Sequence, residues 1–141
     1  MMRSVGLDVG ERRIGVAVSD PLGLTAQQLC VVERRAVKAD IAAIQQALAT
    51  YEVATVVAGL PLEMSGREGA QAESVRKFCS RFAQATGLAV AYQDERLTSV
   101  QSERLLESAG VRREQRRGLL DKMAAALILQ AWLDSHSSPS L

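Results

Sequence analysis

The 141-residue chain is predicted to form one α/β domain built around a mixed sheet. Three observations lead to this prediction: paired β-rich runs at the N-terminus, alternating strand and helix periods through the middle, and helical periods towards the end. Strands joined by tight turns pair antiparallel, whereas strands separated by helices pair parallel through right-handed crossovers. We therefore expect an antiparallel section followed by parallel crossovers, in a single domain over residues 1–134.

The N-terminal third favours three antiparallel strands. Residues 5–9 and 14–19 are short β-rich runs, and residues 10–13 between them read Gly-Glu-Arg-Arg, which predicts a hairpin. Residues 24–33 can add a third strand to the same sheet.

In the rest of the chain, apolar residues recur alternately with the 3.6-residue period of a helix and the 2-residue period of a strand. Ile41, Ile44 and Leu48 form one apolar stripe, which predicts a helix, and Gly87 is placed to end a second, longer helix. The predicted elements are helices over 38–50, 68–86, 99–109 and 119–133, and strands over 53–58 and 88–93.

Composition limits the chemistry that this chain can perform. A net charge of +1 neither requires nor excludes a polyanionic partner, and no apolar segment is long enough for a membrane span or a signal peptide, so we expect a soluble, cytoplasmic protein. Cys30 and Cys79 fit reduced core residues, and His136 falls in a polar stretch, 135–141, that we expect to be a flexible tail. Carboxylates, hydroxyls and basic side chains must therefore build the site.

Asp8 is the residue that fits its surroundings least well. Its neighbours all favour a buried strand, and a buried carboxylate is costly unless it has a cation, a hydrogen-bond network or a metal as partner. Asp94 and Glu95, at the end of a strand, and Asp121 could converge with it on the site-bearing edge of an open sheet. Two simpler interpretations stay open: Asp121 in a first helical turn complements the helix dipole, and Asp94 and Glu95 are loop acids paired with Arg96.

Carboxylates gathered at one point favour a divalent metal site. They repel one another unless cations neutralise them, and oxygen ligands suit Mg²⁺ or Mn²⁺ better than zinc. Such ions can activate water and stabilise the leaving oxygen in phosphodiester hydrolysis without any histidine or cysteine. The residues therefore favour a metal-dependent nuclease.

Four blocks of sequence resemble the YqgF family, also called RuvX, of the RNase H-like superfamily. They are GLDVGERRIGVAVSD from position 6, VAGLPLEMSG from position 57, DERLT from position 94 and LDKMAAALILQ from position 120. The resemblance covers nearly the whole chain and implies a five-stranded mixed sheet flanked by helices, with the first three strands antiparallel. It also implies that Asp8, Glu95 and Asp121 are the catalytic, metal-binding carboxylates.

The resemblance further implies processing of the 5′ end of the 16S ribosomal RNA precursor, in ribosome biogenesis. Cleavage of four-way DNA junctions (Holliday junctions) is the alternative, and it requires a dimer, whereas a monomer can trim an RNA end. We expect structured precursor RNA or branched DNA as partner, a monomer or weak homodimer, and no membrane. Alternatives of another class are a non-catalytic nucleic-acid-binding module and an actin-like phosphate-binding protein, which shares an Asp-x-Gly hairpin like that of Asp8 to Gly10.

Arginines near the proposed site could contact phosphates, although each could also be a solvated surface residue. The loop over residues 60–69 resembles the family's site-edge loop, where Gly59, Gly66 and Gly69 permit tight turns. An arginine-rich connection is expected between the last two helices. The candidate nucleic-acid contacts are Arg12, Arg13, Arg67, Arg96, Arg112, Arg113, Arg116 and Arg117.

Overall fold

The computed structural model describes residues 2–136, and within that range it describes no side chain at positions 97–103, 117 and 121. The elements of this part of the chain alternate much as their hydrophobic periods predict. They are β1 (Met2–Val9), β2 (Arg13–Ser19), β3 (Ala26–Glu33), α1 (Val37–Ala47), β4 (Glu52–Leu60), α2 (Ala70–Thr86), β5 (Val90–Asp94), α3 (Glu95–Ser108) and α4 (Arg113–His136).

The five strands form one sheet in the order β3-β2-β1-β4-β5. The first three strands pair antiparallel, whereas β4 pairs parallel with both β1 and β5. This confirms the predicted five-stranded mixed sheet. Because β1, β4 and β5 run the same way, their carboxyl ends lie at one edge of the sheet, where ligands bind in open α/β folds.

The sheet separates two hydrophobic clusters of different character. Val5 and Leu7 of β1 pack with α1 and α2 in a cluster that holds most of the large buried side chains, including Phe78 and Phe82. Ala17 of β2 and Val57 of β4 pack against α4 on the opposite face. Since successive strand residues point to opposite faces, Gly6 and Asp8 of β1 lie on the α4 side.

Glycines allow α4 to pack closely on the sheet. A Cβ atom built on Gly6 would lie 2.7 Å from the Ala125 carbonyl oxygen, and one on Gly15 would lie 3.3 Å from the Ala125 Cβ. Gln28 and Gln130 then tie α4 to β3: the Ala126 amide donates to Gln28 Oε1 at 3.1 Å, and Gln130 Oε1 accepts from the Ala26 amide at 2.9 Å.

The predicted boundaries of the last two helices differ from the structure in three places that bear on the site or the tail. Helix α3 begins at Glu95 rather than at residue 99, and α4 begins at Arg113, so the arginine-rich segment is largely helical instead of a connection. Asp121 is therefore two turns inside α4, and the prediction that it complements the dipole from a first turn is wrong. Helix α4 also extends to His136, two residues into the predicted tail; residues 137–141 lie outside the described residues.

Other local predictions are confirmed. The hairpin closes where expected, with the Gly10 amide donating to the Arg13 carbonyl at 2.9 Å, and Gly87 ends α2 with a φ of 75°, a conformation that glycine adopts without strain. Within residues 2–136, we find no helix whose length and apolar character would suit a membrane crossing.

Candidate active site

An acidic cavity opens at the carboxyl ends of β1 and β4. Its volume is about 290 Å³, and one wall is formed by the start of α2. Three of its lining residues are acids and, among the described residues, none of the lining residues is a cation. The lining residues are Asp8, Val9, Gly10, Glu11, Pro61, Ala70, Gln71, Ser74, Val75 and Glu95.

The hairpin places Asp8 at the base of this cavity. Asp8 is the penultimate residue of β1 and pairs with Gly15 of β2, whose missing side chain leaves room beside the Asp8 Cβ. The chain turns immediately afterwards at Gly10. The carboxylate is thus delivered to the sheet edge by a strand that is otherwise buried.

Asp94 and Glu95 have different environments, although they are adjacent. Asp94 ends β5 and caps α3: its carboxylate accepts from the Arg96 amide at 2.9 Å and from the Arg96 guanidinium at 2.8 Å. These bonds to Arg96 hold the pKa of Asp94 below its usual value. Asp94 therefore caps the helix, and Glu95, the first residue of α3, faces the cavity.

Glu95 occupies a seat formed by Gly59 and Ile128. A Cβ atom on Gly59 would clash directly with Glu95 Oε1 and would lie 2.5 Å from Ile128 Cδ1. Burial in this seat, then the negative charges of Asp8 and Asp94, raise the pKa of Glu95 to about 7. The negative charge of Asp8 thus adds to burial in disfavouring the ionised form of Glu95.

The third predicted carboxylate, Asp121, lies outside the described side chains. Its position in α4 is four residues before Ala125, which is one helical turn, and Ala125 packs against Gly6 and Gly15 beside Asp8. Among the side chains that are described, no three His, Cys, Asp or Glu residues form a group able to hold a metal ion. The described part of the site therefore contains two of the three predicted carboxylates, Asp8 and Glu95, and the exposed Glu11 also lines the cavity.

These two carboxylates suit a divalent cation. They offer hard oxygen donors, and no histidine or cysteine lines the cavity among the described residues. The raised pKa of Glu95 shows that the pocket disfavours its own negative charge, which a bound cation would reverse. Asp8 and Glu95 thus offer the kind of oxygen ligands that an Mg²⁺ or Mn²⁺ ion takes.

Arg34 supports the hairpin turn that follows Asp8. Its guanidinium donates to the Gly10 carbonyl at 2.9 Å and pairs at 3.4 Å with Asp40, a buried carboxylate that also accepts from the Arg35 amide. Arg34 therefore connects the turn at the cavity rim to the start of α1.

The predicted phosphate contacts fall into two groups. Arg12, Arg13 and Arg67 are exposed; Arg13 pairs with Glu33 at 3.4 Å and Arg67 with Glu63 at 3.9 Å, in weak surface ion pairs. Arg96 instead holds the site-edge loop.

The bonds of Arg96 explain why it is less available to a ligand. Besides Asp94, its guanidinium donates to the carbonyls of Met64 at 3.2 Å and Glu63 at 3.5 Å. The positive φ of Gly66, 89°, gives this loop its turn, whereas Gly59 lies inside β4 and Gly69 precedes α2. The expectation that Gly59 permits a tight turn is wrong, since its role is to leave room for Glu95.

The arginines before and within α4 also differ among themselves. Arg112 and Arg113 are exposed, whereas Arg116 is half-buried and donates to the Val111 carbonyl at 3.0 Å. The side chain of Arg117 lies outside the described residues. Arg112 and Arg113 are thus the members of this run that the structure leaves open to a ligand.

The roles of two residues at the site, Gly59 and Arg34, were not predicted from the sequence. Gly59 interrupts an apolar strand, and a lone glycine in such a run signals close approach of another group. Arg34 carried no signal, because its partners, Asp40 and the Gly10 carbonyl, are brought to it only by the fold.

Comparison with known proteins identifies the relatives of this chain. The model of the family described as "RuvX: Holliday junction resolvase" matches residues 2–135. A Myxococcus xanthus (strain DK1622) protein named "Putative pre-16S rRNA nuclease" is 51% identical over 138 residues, which cover 98% of this chain and 91% of the relative. A Symbiobacterium thermophilum protein of the same name is 48% identical over 137 residues, covering 97% and 95%.

Solved structures show the same fold at low identity. T. thermophilus RuvC in complex with a Holliday junction substrate matches with a TM-score of 0.57 at 19% identity, covering 97% of both chains. Fowlpox virus resolvase with Holliday junction DNA matches with a TM-score of 0.50 at 11% identity, covering 97% of this chain and 100% of the other. These likenesses establish the architecture.

Proposed function

This chain belongs to the RuvX family, and from that premise we propose that it is a divalent-metal-dependent nuclease that matures the 5′ end of the 16S ribosomal RNA precursor. The family, the RNase H-like fold and the nuclease class agree with the sequence-based predictions. The metal, the catalytic residues, the RNA substrate and a cytoplasmic location belong to the proposal.

The pairing of Asp8 with Glu95 in one cavity is the observation that carries the proposal. Separate segments of the chain bring the two carboxylates together although their charges disfavour each other. A non-catalytic module that binds a polyanion gains nothing from such an arrangement, because its acids would repel the phosphates. A metal-dependent active site requires it.

We assign the metal to Asp8, Glu95 and Asp121. A bound Mg²⁺ or Mn²⁺ would polarise the scissile phosphate and lower the pKa of a water molecule. The protein's own contribution is to fix the donors: Gly59 and Ile128 seat Glu95, and Gly15 leaves room for Asp8. Arg34 and Arg96 act as positioning residues through the Gly10 carbonyl and the site-edge loop.

Exposed arginines supply the contacts to the substrate. We infer contacts with substrate phosphates for Arg12 and Arg13 at the hairpin, Arg67 on the site-edge loop, and Arg112 with Arg113, because all five are exposed. Arg96, Arg116 and Arg117 complete the predicted set, but the first two already donate to backbone carbonyls. Replacing Arg96 or Arg116 should therefore weaken RNA binding less than replacing one of the exposed arginines.

Holliday junction cleavage is the second candidate, because the family description names it. Two symmetric cuts need two sites and hence a twofold dimer, whereas RNA trimming needs one site. The curated relatives at 51% and 48% identity carry the pre-16S rRNA name, which favours RNA. We infer a monomer or weak homodimer on this basis.

The test compares the purified protein with Asp8→Asn on structured precursor RNA and on a four-way DNA junction, in Mg²⁺, Mn²⁺ or EDTA. We expect RNA cleavage to fall more than about 100-fold in the variant, since even outer-shell partners of metal sites contribute about 10- to 100-fold. Glu107→Gln, which removes an exposed acid of α3, is the control and should cleave like the unmodified protein.

Three results would count against the proposal. Cleavage that survives both EDTA and Asp8→Asn excludes the carboxylate-metal mechanism. Preference for the junction over RNA selects the resolvase alternative. ATP hydrolysis without strand cleavage would move the protein to the actin-like phosphate-binding class.

A further inference from the structure

A basic groove adjoins the acidic cavity. It has a volume of about 710 Å³ and lies where the start of α1 faces the middle of α2. Arg34, Lys77 and Arg81 line it, and no acid does so among the described residues. The acidic cavity has the reverse composition, with three acids and no cation among its described lining.

Ser74 connects the two depressions, because it lines both. From Ser74, Lys77 and Arg81 follow at three and seven residues, so all three lie on one face of α2. Arg81 is about 10 Å beyond Ser74 along the helix axis at a rise of about 1.5 Å per residue. A chain leaving the acidic cavity over Ser74 would meet these two cations in succession.

The cations of α2 are available to a ligand. Arg81 is exposed and makes no ion pair among the described residues. Lys77 pairs with Glu73 at 3.8 Å, but both side chains are more than 70% exposed, and such pairs contribute little. Arg34 is already bound to Asp40 and the Gly10 carbonyl, so its charge is compensated and the groove's free positive charge comes from Lys77 and Arg81.

The groove offers charge and hydrogen bonds but no stacking surface. Its one aromatic residue, Phe78, is 3% exposed and belongs to the core, whereas Ser80 and Gln84 are exposed polar residues. Bases need an exposed aromatic face to stack on, while phosphates need only cations and donors. The lining therefore selects a phosphodiester backbone without regard to its sequence.

We propose that Lys77 and Arg81 bind the backbone phosphates of the RNA strand that continues beyond the cleavage site, after it crosses the cavity rim at Ser74. This inference rests on the proposed nuclease function and adds a track for the flanking strand to it. Replacing these two cations should weaken the binding of long RNA substrates and leave the binding of short ones unaffected.

The experiment compares Lys77→Gln/Arg81→Gln with the unmodified protein on two RNAs that share a cleavage site. One RNA extends about six nucleotides on each side of the site and the other about one, so only the longer can reach the groove. We expect kcat/KM on the long RNA to fall about 10- to 100-fold and kcat/KM on the short RNA to stay unchanged. Arg104→Gln, an exposed cation of α3, is the control for Arg81→Gln.

Binding without cleavage separates this inference from the nuclease proposal. In EDTA, the slope of log K against log salt for the long RNA should become shallower by about 1.4, as two phosphate contacts are lost at about 0.7 each. That result supports the track even if no cleavage is ever observed. A slope unchanged in the double variant, equal losses on long and short RNA, or tighter binding of polyglutamate than of RNA would each overturn it.

Discussion

The two faces of the sheet are packed in opposite ways. Against α1 and α2, the sheet presents large side chains such as Leu7 and Ile14, which belong to the same cluster as the buried Phe82. Against α4, it presents glycines and small residues, and the backbone of the helix approaches Gly6 closely. The α1 and α2 face is therefore a thick layer of large apolar side chains, and the α4 face is a thin layer of small ones.

This difference separates stability from chemistry. A thick apolar layer contributes transfer and packing free energy over a large area. A thin layer lets α4 and the start of α3 approach the strands, so that Glu95 can reach the same cavity as Asp8. The glycines of the α4 face thus contribute little packing volume, but they allow the close approach that places the carboxylates.

Phe82→Ala tests the thick face and should have the largest effect on stability. Phe82 is fully buried, so its truncation should lower the free energy of unfolding by about 3–5 kcal/mol. Urea denaturation measures the loss, and Gln46→Ala, an exposed change on α1, should stay within about 0.5 kcal/mol. Cleavage per folded molecule should be unchanged; a larger loss of activity than of folded protein would break the separation of the two faces.

Glu95→Gln tests the charge on the thin face. The pKa of Glu95 is raised from 4.5 to about 7, so its folded form holds the proton more tightly than its unfolded form. The resulting stability is fully present below about pH 4.5 and is lost as the pH rises through about 7. In EDTA at pH 8, the variant should therefore be more stable than the unmodified protein by up to about 3 kcal/mol.

Asp94→Asn is the matched control for this pH dependence. Its carboxylate has a lowered pKa because of Arg96, so its contribution is present above its unfolded pKa and is lost as the pH falls. Asp94→Asn should thus destabilise the protein at pH 8, opposite in sign to Glu95→Gln. Urea denaturation at pH 5 and pH 8 measures both effects. If the stability of Glu95→Gln and of the unmodified protein depends on pH in the same way, the raised pKa of Glu95 is contradicted.

Gly59→Ala tests the thinness of the layer itself and should have the smallest effect on stability. The added Cβ clashes with Glu95 Oε1 and Ile128 Cδ1, for which we expect a loss of about 1–3 kcal/mol. Cleavage should fall much further than stability, because Glu95 is displaced. Gly118→Ala in α4 is the control: nothing lies within 4 Å of its added Cβ, and it should stabilise the helix by about 0.5–1 kcal/mol. Equal activity of the two variants would show that the seat has no role.

Local patterns were sufficient to predict the sheet and the strand that carries Asp8, but not the position of Glu95 against Gly59 and Ile128. Strand and helix periods, the Gly10 turn and the Gly87 terminus are properties of neighbouring residues, so they can be read along the chain. The choice between Asp94 and Glu95 depended on helix α3 starting four residues earlier than its apolar stripe suggests. Asp94 as a capping residue was the available signal.

The prediction that the arginine-rich segment is a connection was wrong because it relied on local charge alone. Charged residues predict a solvated connection when nothing else is known, yet arginine is also a good helix former. Arg113 to Arg117 extend α4 backwards, and Arg116 turns in to the Val111 carbonyl. The Arg34 contacts with Asp40 and Gly10 could not be predicted, since they depend on the packing of α1 beside the hairpin.

The hydrogen bonds of Gln28 and Gln130 make the α4 face depend on contacts between distant parts of the chain. Gln28 and Gln130 join segments about a hundred residues apart in the chain, and bringing such distant segments together is slow because the loop-closure entropy must be overcome first. The buried residues of the α1 and α2 face all precede β5, and Val90 and Tyr92 of β5 pack against them. A chain that ends before α4 keeps every residue of that face but lacks the helix that covers Gly6 and Gly15 beside Asp8, so α4 completes the thin face after the other described elements have been made.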